Sequence, residues 1–275
     1  MFKTRVLSSV VLVIIALVTL LKGGYLLAAV LLFISMIAYH ELCKACAIHT
    51  KEQKINALEM VGYLGILCYY AIVVFTKNQT AQLVTIMVMM IAYMFVYVFT
   101  FPKYQAPQVM SAFFGFMYAP VMFAFIYQIR ELEYGIYLVW MVFVSSWISD
   151  TFAYLTGITI GKHKMTPKLS PKKSVEGAIG GVAGAALVGG LYGHFVVANV
   201  VEEPNVVWFL VIISAVGAMV SQVGDLAASA IKRNYEIKDY GHLIPGHGGI
   251  MDRFDSVIFT APMVYALAVL MMNQM

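Results

Sequence analysis

The sequence predicts an all-α, polytopic integral membrane protein with about nine transmembrane helices. Hydrophobic residues make up 61% of its 275 positions and charged residues only 12%, whereas a soluble domain usually has about 25% charged residues. Nine apolar segments follow one another along the chain, and each approaches the ~20 residues that a helix needs to cross about 30 Å of hydrocarbon. The expected surroundings are therefore the lipid bilayer, and no nucleic-acid partner is expected.

The apolar segments are separated by short polar stretches. The first segment follows Lys3 and Arg5 and could pass for a secretory signal, but the second span follows so closely that an uncleaved helix is favoured. The three cysteines predict no disulfide framework. The nine predicted spans are Val6–Leu21, Tyr25–Tyr39, Ala57–Phe75, Gln82–Thr100, Val109–Tyr127, Gly135–Gly157, Glu176–Val200, Val206–Ala230 and Ile250–Met272.

The basic residues are distributed unequally between the two sides of the membrane. Fifteen of the 18 lysines and arginines fall at the N-terminus or in the polar stretches after spans two, four, six and eight. The other side keeps only Lys22, Lys77 and Arg130. Because cytoplasmic loops are enriched in basic residues, the N-terminus and these loops are predicted to be cytoplasmic, in a multi-pass protein of the cell (inner or plasma) membrane.

The two halves of the chain differ in their polar content. Residues 1–134, with spans one to five, contain few reactive groups and are predicted to be a scaffold. His40, Glu41 and Glu59 lie near predicted helix ends, where polar side chains can extend towards the interface, so a structural role is favoured for all three. Residues 135–275, with spans six to nine, are predicted to form the catalytic region.

Span six has a polar stripe. Ser146, Asp150, Tyr154 and Gly157 share one helical face because successive members are four, four and three residues apart. An ionised carboxylate at mid-membrane costs at least ~2.5 kcal/mol, so the stripe is expected to face a cavity or another helix. A structural hydrogen bond and a functional role are both open for Asp150.

The basic loop after span six is a predicted anion site. It contains Lys172, Lys173 and Ser174, and Ser174 followed by Glu176 and Gly177 is typical of a helix N-terminus, where bound anions are favoured. Simple attraction of the lysines to anionic headgroups is the alternative.

Span seven is rich in glycine. The four-residue spacing of Gly180 and Gly184 predicts close helix packing, within one chain or in a homodimer.

The densest charge lies between Ser229 and Asp255. This stretch joins spans eight and nine and contains four bases, four acids and two histidines: Lys232, Arg233, Lys238, Arg253, Glu236, Asp239, Asp252, Asp255, His242 and His247. Ser221, Asp225, Ser229 and Lys232 form one helical stripe that leads into it. Asp225 lies deep enough to need a cationic partner, either Lys232 or a metal ion.

The start of span nine adds further ligands for phosphate and metal. Asp252 and Asp255 are three residues apart and share a helical face, with Arg253 beside them. Carboxylates from two helices, with waters and phosphate oxygens, form the usual Mg²⁺ arrangement in phosphoryl chemistry. The N–H groups after Gly248 and Gly249 predict an anion site at the helix N-terminus. Together these groups suit a nucleoside triphosphate.

These residues resemble the signature of the phosphatidate cytidylyltransferases (CDP-diacylglycerol synthases). The resemblance extends upstream through G-D-L-x-x-S at Gly224–Ser229, S-P-K-K-S-x-E-G at Ser170–Gly177 and D-x-x-A-Y-x-x-G at Asp150–Gly157, whereas the first five spans match only in hydropathy and length. The signature positions met without a gap are Ser229, Lys232, Arg233, Lys238, Asp239, Gly241, Ile244, Pro245, His247, Gly248, Gly249, Asp252, Arg253 and Asp255.

The resemblance implies a reaction in which CTP and phosphatidate give CDP-diacylglycerol and pyrophosphate, with Mg²⁺ required, in phospholipid biosynthesis. It implies metal ligation by Asp225 and Asp252, with Asp255 a further candidate. Lys232, Arg233 and Arg253 are assigned to CTP and pyrophosphate, and Lys172, Lys173 and Ser174 to the lipid phosphate or CTP. Ser229, Gly248 and Gly249 are also predicted to bind substrate. His247 is expected either to donate to a phosphate or to shape the turn.

Two other functions remain open at this stage. A CTP-dependent polyprenol or phytol kinase would also need Asp and Lys at a cytoplasmic rim, but it transfers the γ-phosphoryl group. A membrane transporter could use Asp150 and Asp225 as an intramembrane ion site. The polar signature outside the membrane is unexpected for a transporter, and no inverted repeat is evident.

Overall fold

The structure, a computed structural model, is built almost entirely from helices. It describes residues 2–48, 55–244 and 248–272, with side chains from residue 10 onward. The helices are α1 Phe2–Lys22, α2 Gly24–Ala45, α3 Ala57–Thr76, α4 Gln79–Phe99, α5 Ala106–Arg130, α6 Gly135–Ile160, α7 Val175–Asn199, α8 Val206–Asn234 and α9 Met251–Met272. Helices α3, α5 and α6 contain π-helical turns, and α7 ends in a 3₁₀ turn.

The helices confirm the predicted all-α membrane architecture. Eight of them, α2 to α9, are long and apolar enough to cross a bilayer in the described part of the chain. The first predicted span, Val6–Leu21, corresponds to α1, which is 21 residues long. Each predicted apolar segment therefore coincides with a helix.

Several predicted spans end earlier than the helices of the structure. Span two was expected to end at Tyr39, but α2 continues to Ala45. Span eight was expected to end at Ala230, but α8 continues to Asn234 and carries Lys232 and Arg233 in its last turn. Charged side chains end an apolar pattern, but they do not interrupt the main-chain hydrogen bonds that continue the helix.

A small β-hairpin, not predicted from the sequence, lies between α6 and α7. Strand β1, Lys164–Thr166, pairs antiparallel with β2, Ser170–Ser174, and Lys164 lies opposite Ser174. Its strands are short and rich in lysine, so they lack the alternation of apolar and polar residues that identifies a strand in a sequence.

The chain forms two compact units. The first contains Met1–Tyr127 and Tyr235–Arg253, and the second contains Gln128–Asn234 and Phe254–Met275. The polar segment after α8 thus belongs to the same unit as the first four helices and most of α5. The catalytic and scaffold roles predicted for residues 135–275 and 1–134 remain predictions.

The first unit packs around buried tyrosines. The hydroxyls of Tyr39 and Tyr93 lie 2.9 Å apart, and those of Ser35 and Tyr70 are 2.7 Å apart. Gly62 of α3 leaves room for the Tyr39 ring, since a Cβ there would lie 2.1 Å from the hydroxyl oxygen. Helix α3 begins with a capping box in which Asn56 and Glu59 exchange hydrogen bonds.

The second unit is held together by close contacts of α7 with α6 and α8. A Cβ on Gly184 would lie 2.2 Å from Cγ of Phe152, and one on Gly180 would lie 2.2 Å from Oγ1 of Thr156, both on α6. On the α8 side, a Cβ on Gly189 would overlap the Ser214 hydroxyl. The predicted packing role of Gly180 and Gly184 is therefore confirmed.

Candidate active site

A cavity of about 550 Å³ lies within the second unit, between α6, the β-hairpin, α7 and α8. Its wall combines ionisable groups with apolar side chains. The lining residues are Asp150, Ala153, Tyr154, Gly157, Ile158, Lys164, Met165, Ser170, Lys172, Lys173, Ser174, Gly177, Ala178, Gln222 and Asp225. Three predicted substrate-binding residues, Lys172, Lys173 and Ser174, therefore share one cavity with the predicted metal ligand Asp225.

An ion pair joins the hairpin to α8 inside this cavity. The ammonium of Lys173 contacts Oδ2 of Asp225, and both side chains are mostly shielded, with 27% and 29% of their surface exposed. The sequence predicted that Asp225 needs a cation, which is confirmed, but it suggested Lys232 or a metal ion as the partner. The partner in the structure is Lys173, because the hairpin folds back against α8.

Ser174 begins α7, as the sequence predicted. Its hydroxyl accepts a hydrogen bond from the N–H of Gly177 at 3.1 Å. Two residues later, Glu176 accepts the N–H groups of Lys162 and His163, and its Oε1 lies 2.5 Å from the His163 ring nitrogen Nδ1. These bonds tie the last residues before the hairpin to the first turn of α7.

The polar stripe of α6 faces the cavity. Asp150, Tyr154 and Gly157 all line it, whereas Ser146 is buried and donates to the carbonyl of Val142 at 2.8 Å. The expectation that Asp150 faces a cavity is thus confirmed. Asp150 interacts electrostatically with Asp225 and Lys173.

Gln222 is a cavity residue that sequence reasoning missed. Its amide nitrogen donates to the carbonyl of Ala178 on α7 at 3.0 Å and to the Ser149 hydroxyl on α6 at 3.4 Å. It lies three residues before Asp225, one helical turn away on the same side of α8, and this spacing was the available signal. These two hydrogen bonds connect α8 to α6 and α7 beside the ion pair.

Helices α8 and α9 cross closely beside Asp225. A Cβ on Gly224 would lie 2.9 Å from the carbonyl oxygen of Asp255, so only glycine permits this approach without displacement. Asp255 interacts electrostatically with Asp225, Lys232 and Asp150. The second unit therefore gathers three carboxylates and two lysines in one neighbourhood.

The carboxylates fit a hard cation such as Mg²⁺. Among the residues the structure describes, no three acidic, histidine or cysteine side chains are grouped so that they could hold one ion. Mg²⁺ does not need three, because it is usually bound by one or two carboxylates together with substrate phosphates. Asp225 with Asp255 would provide such a donor set.

In the first unit, Asp252 anchors the polar segment. Its Oδ2 accepts the N–H of Tyr240 at 2.8 Å and that of Gly249 at 3.0 Å. The next two amides, of Ile250 and Met251, donate to the carboxylate of Glu41 at 3.0 and 2.9 Å. The predicted anion site after Gly248 and Gly249 is thus occupied by two carboxylates of the chain itself.

The burial of Glu41 and Glu59 differs from what the sequence predicted. The sequence placed Glu41 and Glu59 at interfacial positions with their side chains extended to water, but both are buried in the structure. The predicted structural roles fit their hydrogen bonds to main-chain amides.

The remaining predicted site residues lie in several places. Ser229 and Lys232 are partly exposed on α8, and Arg233 is exposed in its last turn. Arg253 is exposed at the start of α9, where its main-chain N–H donates to the carbonyl of Ile250 at 3.0 Å. His247 lies outside the described residues. The assignments of all these residues to substrate remain predictions.

Comparison with known proteins identifies the family of the chain. Residues 3–271 match the Cytidylyltransferase family. The chain belongs to the cytidylyltransferase family. It is 30% identical to a phosphatidate cytidylyltransferase of Staphylococcus saprophyticus and 31% identical to one of Staphylococcus aureus, with 97% of this chain and 99% of each relative covered. A Staphylococcus epidermidis phosphatidate cytidylyltransferase is 30% identical over the same shares.

This cytidylyltransferase is accordingly a nucleotidyltransferase with a multi-pass membrane fold. The match includes the first five spans, which the resemblance in the sequence had covered only by hydropathy and length. Neither the lipid kinase nor the transporter considered from the sequence is favoured by the family match.

Proposed function

We propose that this enzyme transfers the cytidylyl group of CTP to phosphatidate, giving CDP-diacylglycerol and pyrophosphate. The observation that carries the proposal is the cavity of the second unit, which places Lys172, Lys173 and Ser174 with Asp225 beside apolar wall residues. It thus offers bases and a carboxylate for phosphate chemistry next to a surface suited to a lipid. The curated relatives named phosphatidate cytidylyltransferase support the choice of substrate.

The reaction requires no nucleophile from the protein. A phosphate oxygen of phosphatidate attacks the α-phosphorus of CTP, and a new P–O bond forms there. The bond from the α-phosphorus to the oxygen that bridges to the β-phosphorus breaks, and pyrophosphate leaves with that electron pair. The contribution of the enzyme is therefore positioning and compensation of the phosphate charges.

The chain's bases are assigned to the phosphates. Lys172, Lys173 and the first turn of α7 at Ser174 would hold a phosphate in the cavity, because ammonium groups and helix N-termini both favour anions. Lys232 and Arg233 in the last turn of α8, with Arg253 at the start of α9, would bind CTP and the leaving pyrophosphate. Ser229, Gly248 and His247 retain their predicted roles in substrate binding. The amide of Gly249 already donates to Asp252.

We assign Mg²⁺ to the carboxylates around Asp225. Asp225 and Asp255 of the second unit would hold the ion, and Asp252 keeps the metal-ligand role predicted from the sequence. When bound, Mg²⁺ orients phosphate oxygens and offsets the charge that develops on them. Lys173 already compensates Asp225, so it could exchange that partner for a substrate phosphate.

The lipid end of phosphatidate is assigned to the α6 side of the cavity. Tyr154 and Ile158 line the cavity and are 68% and 62% exposed, and both belong to a helix long enough to span the membrane. Side chains with this exposure in a membrane helix suit contact with acyl chains. Phosphatidate would therefore reach the cavity sideways from the bilayer, with its phosphate directed towards Lys173.

Isotope labelling of CTP tests the reaction. Purified full-length protein in phosphatidate-containing micelles with Mg²⁺ should transfer ³²P from α-labelled CTP into lipid, and γ-labelled CTP should leave lipid unlabelled and release labelled pyrophosphate. Label from the γ-position in lipid would replace this proposal with a lipid kinase. A second reaction with ATP in place of CTP should give no labelled lipid.

We also propose that the site faces the cytoplasm. This follows from the bias of lysine and arginine towards the N-terminus and the loops after even-numbered spans, and CTP is available on that side. A homodimer, compatible with the glycine-rich α7, remains a prediction.

A further inference from the structure

Glu41 is a buried acid that the proposed reaction does not use. It lies at the end of α2 with 5% of its surface exposed. Its Oε1 accepts the N–H of Ile250 at 3.0 Å and its Oε2 accepts that of Met251 at 2.9 Å, although more than 200 residues separate it from both. A buried carboxylate needs such donors, because loss of hydration is otherwise uncompensated.

Two glycines of the polar segment make room for this carboxylate. A Cβ on Gly241 would lie 2.3 Å from Oε1 of Glu41, and a Cβ on Gly249 would lie 2.4 Å from the same atom. Any other residue at either position would displace the carboxylate or the segment. The buried Glu41 carboxylate therefore explains why positions 241 and 249 require glycine.

Asp252 completes the arrangement at the start of α9. Its Oδ2 holds the amide of Gly249, so the successive N–H groups of Gly249, Ile250 and Met251 are all bound by carboxylates. Negative charge is favoured at a helix N-terminus, where main-chain amides have no partner within the helix. The first turn of α9 is consequently tied to α2.

We propose that Glu41 is a positioning residue for the reaction, because it fixes the helical turn that carries Asp252 and Arg253. The assignment of those two residues to the reaction rests on the proposed function. Glu41 does not touch substrate in this scheme. Without its carboxylate the amides of Ile250 and Met251 lose their acceptors, and the turn is free to shift relative to α2. A displacement of ~1 Å can lower a rate about 100-fold.

Replacement of Glu41 by glutamine tests this role. Glu41→Gln keeps the size of the side chain but removes the charge and turns an NH₂ group towards one of the two amides. We expect kcat to fall roughly 10- to 100-fold. The KM for phosphatidate should change by less than about threefold, because a loss of alignment lowers kcat without changing ground-state binding. Hydrogen exchange of the peptide Gly248–Arg253, followed by mass spectrometry, should become faster.

Glu59→Gln is the matched control. Glu59 is also a fully buried acid of the first unit, but its carboxylate accepts the N–H of Asn56 in the cap of α3. This variant should keep the wild-type kcat per folded molecule and the wild-type exchange at Gly248–Arg253.

A second pair of variants keeps the test decisive if Glu41→Gln does not fold. Gly249→Ala should lower kcat because its methyl group meets Glu41, and adding Glu41→Asp should restore part of the activity, since the shorter side chain makes room. A folded Glu41→Gln protein with wild-type kcat, or no rescue in the double variant, would overturn the proposal. If the wild-type protein did not transfer the cytidylyl group, the proposed reaction would be rejected. Faster exchange at Gly248–Arg253 in Glu41→Gln would in that case still support the contact by which Glu41 positions the turn.

Discussion

The pairing of Asp225 with Lys173 illustrates what a residue's surroundings add to its sequence. An acid within an apolar helix needs a cation, and this requirement was visible in the sequence. The identity of the cation was not, because Lys173 belongs to a hairpin whose pairing is set by contacts distant in sequence. A helical stripe gives neighbours along one helix, so it suggested Lys232, with a metal ion as the alternative.

Asp225→Asn should abolish most activity. The neutral amide has nearly the same shape, but it removes a proposed Mg²⁺ ligand and the charge that Lys173 compensates, so we expect cytidylyl transfer to fall roughly 10²- to 10³-fold. Activity is measured with α-labelled CTP, and the folded fraction by size-exclusion chromatography in detergent. Glu202→Gln, in the exposed loop after α7, serves as the charge-matched control. Turnover of Asp225→Asn near that of the control would contradict the metal assignment.

Lys173→Ala should weaken substrate binding. A hydrogen bond to a charged group contributes about 1.5–3 kcal/mol, so the KM for CTP or for phosphatidate should rise about 10- to 100-fold when the ammonium is lost. Lys168→Ala is the control. Lys168 is an exposed lysine in the turn of the same hairpin, and it does not line the cavity, so the KM values of this variant should stay at the wild-type level. Equal effects of the two substitutions would indicate that only the overall charge of the hairpin matters.

At the scale of single helices, apolar runs located each span but not its ends. Three predicted limits coincide with helix limits: span three starts at Ala57, span eight starts at Val206 and span nine ends at Met272. The ends of α2 and α8 were placed too early, since charged residues were taken as the edge of the helix. At α2 this also concealed Glu41, whose burial depends on amides at the other end of the chain. Nothing in the local pattern around position 41 encodes that contact.

The contact between α6 and α7 gives a prediction for this pair of helices. A Cβ on Gly177 would lie 2.7 Å from the carbonyl oxygen of Ala153, and a backbone atom cannot move aside as a side chain can. Gly177→Ala should therefore separate the helices beside the cavity and destabilise the fold by about 1–3 kcal/mol. A lower thermal unfolding temperature in detergent and a reduced rate of cytidylyl transfer are expected.

Ile179→Ala is the control for that substitution. Ile179 lies on the same helix two residues later, and it is 66% exposed, so its removal leaves the contact between α6 and α7 intact. Its unfolding temperature should stay close to that of the wild type. A Gly177→Ala protein as stable as the Ile179→Ala protein would show that α6 and α7 are not in close contact at this point.

At the scale of the whole molecule, the sequence identified the residue types suited to phosphate chemistry, but it did not show which of them lie together in space. The motifs that contain Asp150, Lys173 and Asp225 were recognised separately, and the structure brings all three to one cavity. Asp252 and Asp255 both lie in the first turns of α9, as their spacing predicted, and their joint role in metal binding remains a prediction. Helical periodicity determines the face of a residue, whereas the unit that contains it is determined by the packing of distant segments.

The orientation of the enzyme in the membrane is the last prediction. Helix α7 has 25 residues, and at 1.5 Å per residue it is about 37 Å long, which exceeds the ~30 Å of hydrocarbon. The hairpin before α7 and the loop after it should therefore lie on opposite sides. The bias of basic residues predicts that the hairpin is cytoplasmic. In a background in which Cys43, Cys46 and Cys68 are replaced by alanine, Lys168→Cys should react with a membrane-impermeant maleimide only in inside-out vesicles. Glu202→Cys should react in intact cells, and the reverse pattern would place the proposed CTP site on the wrong side of the membrane.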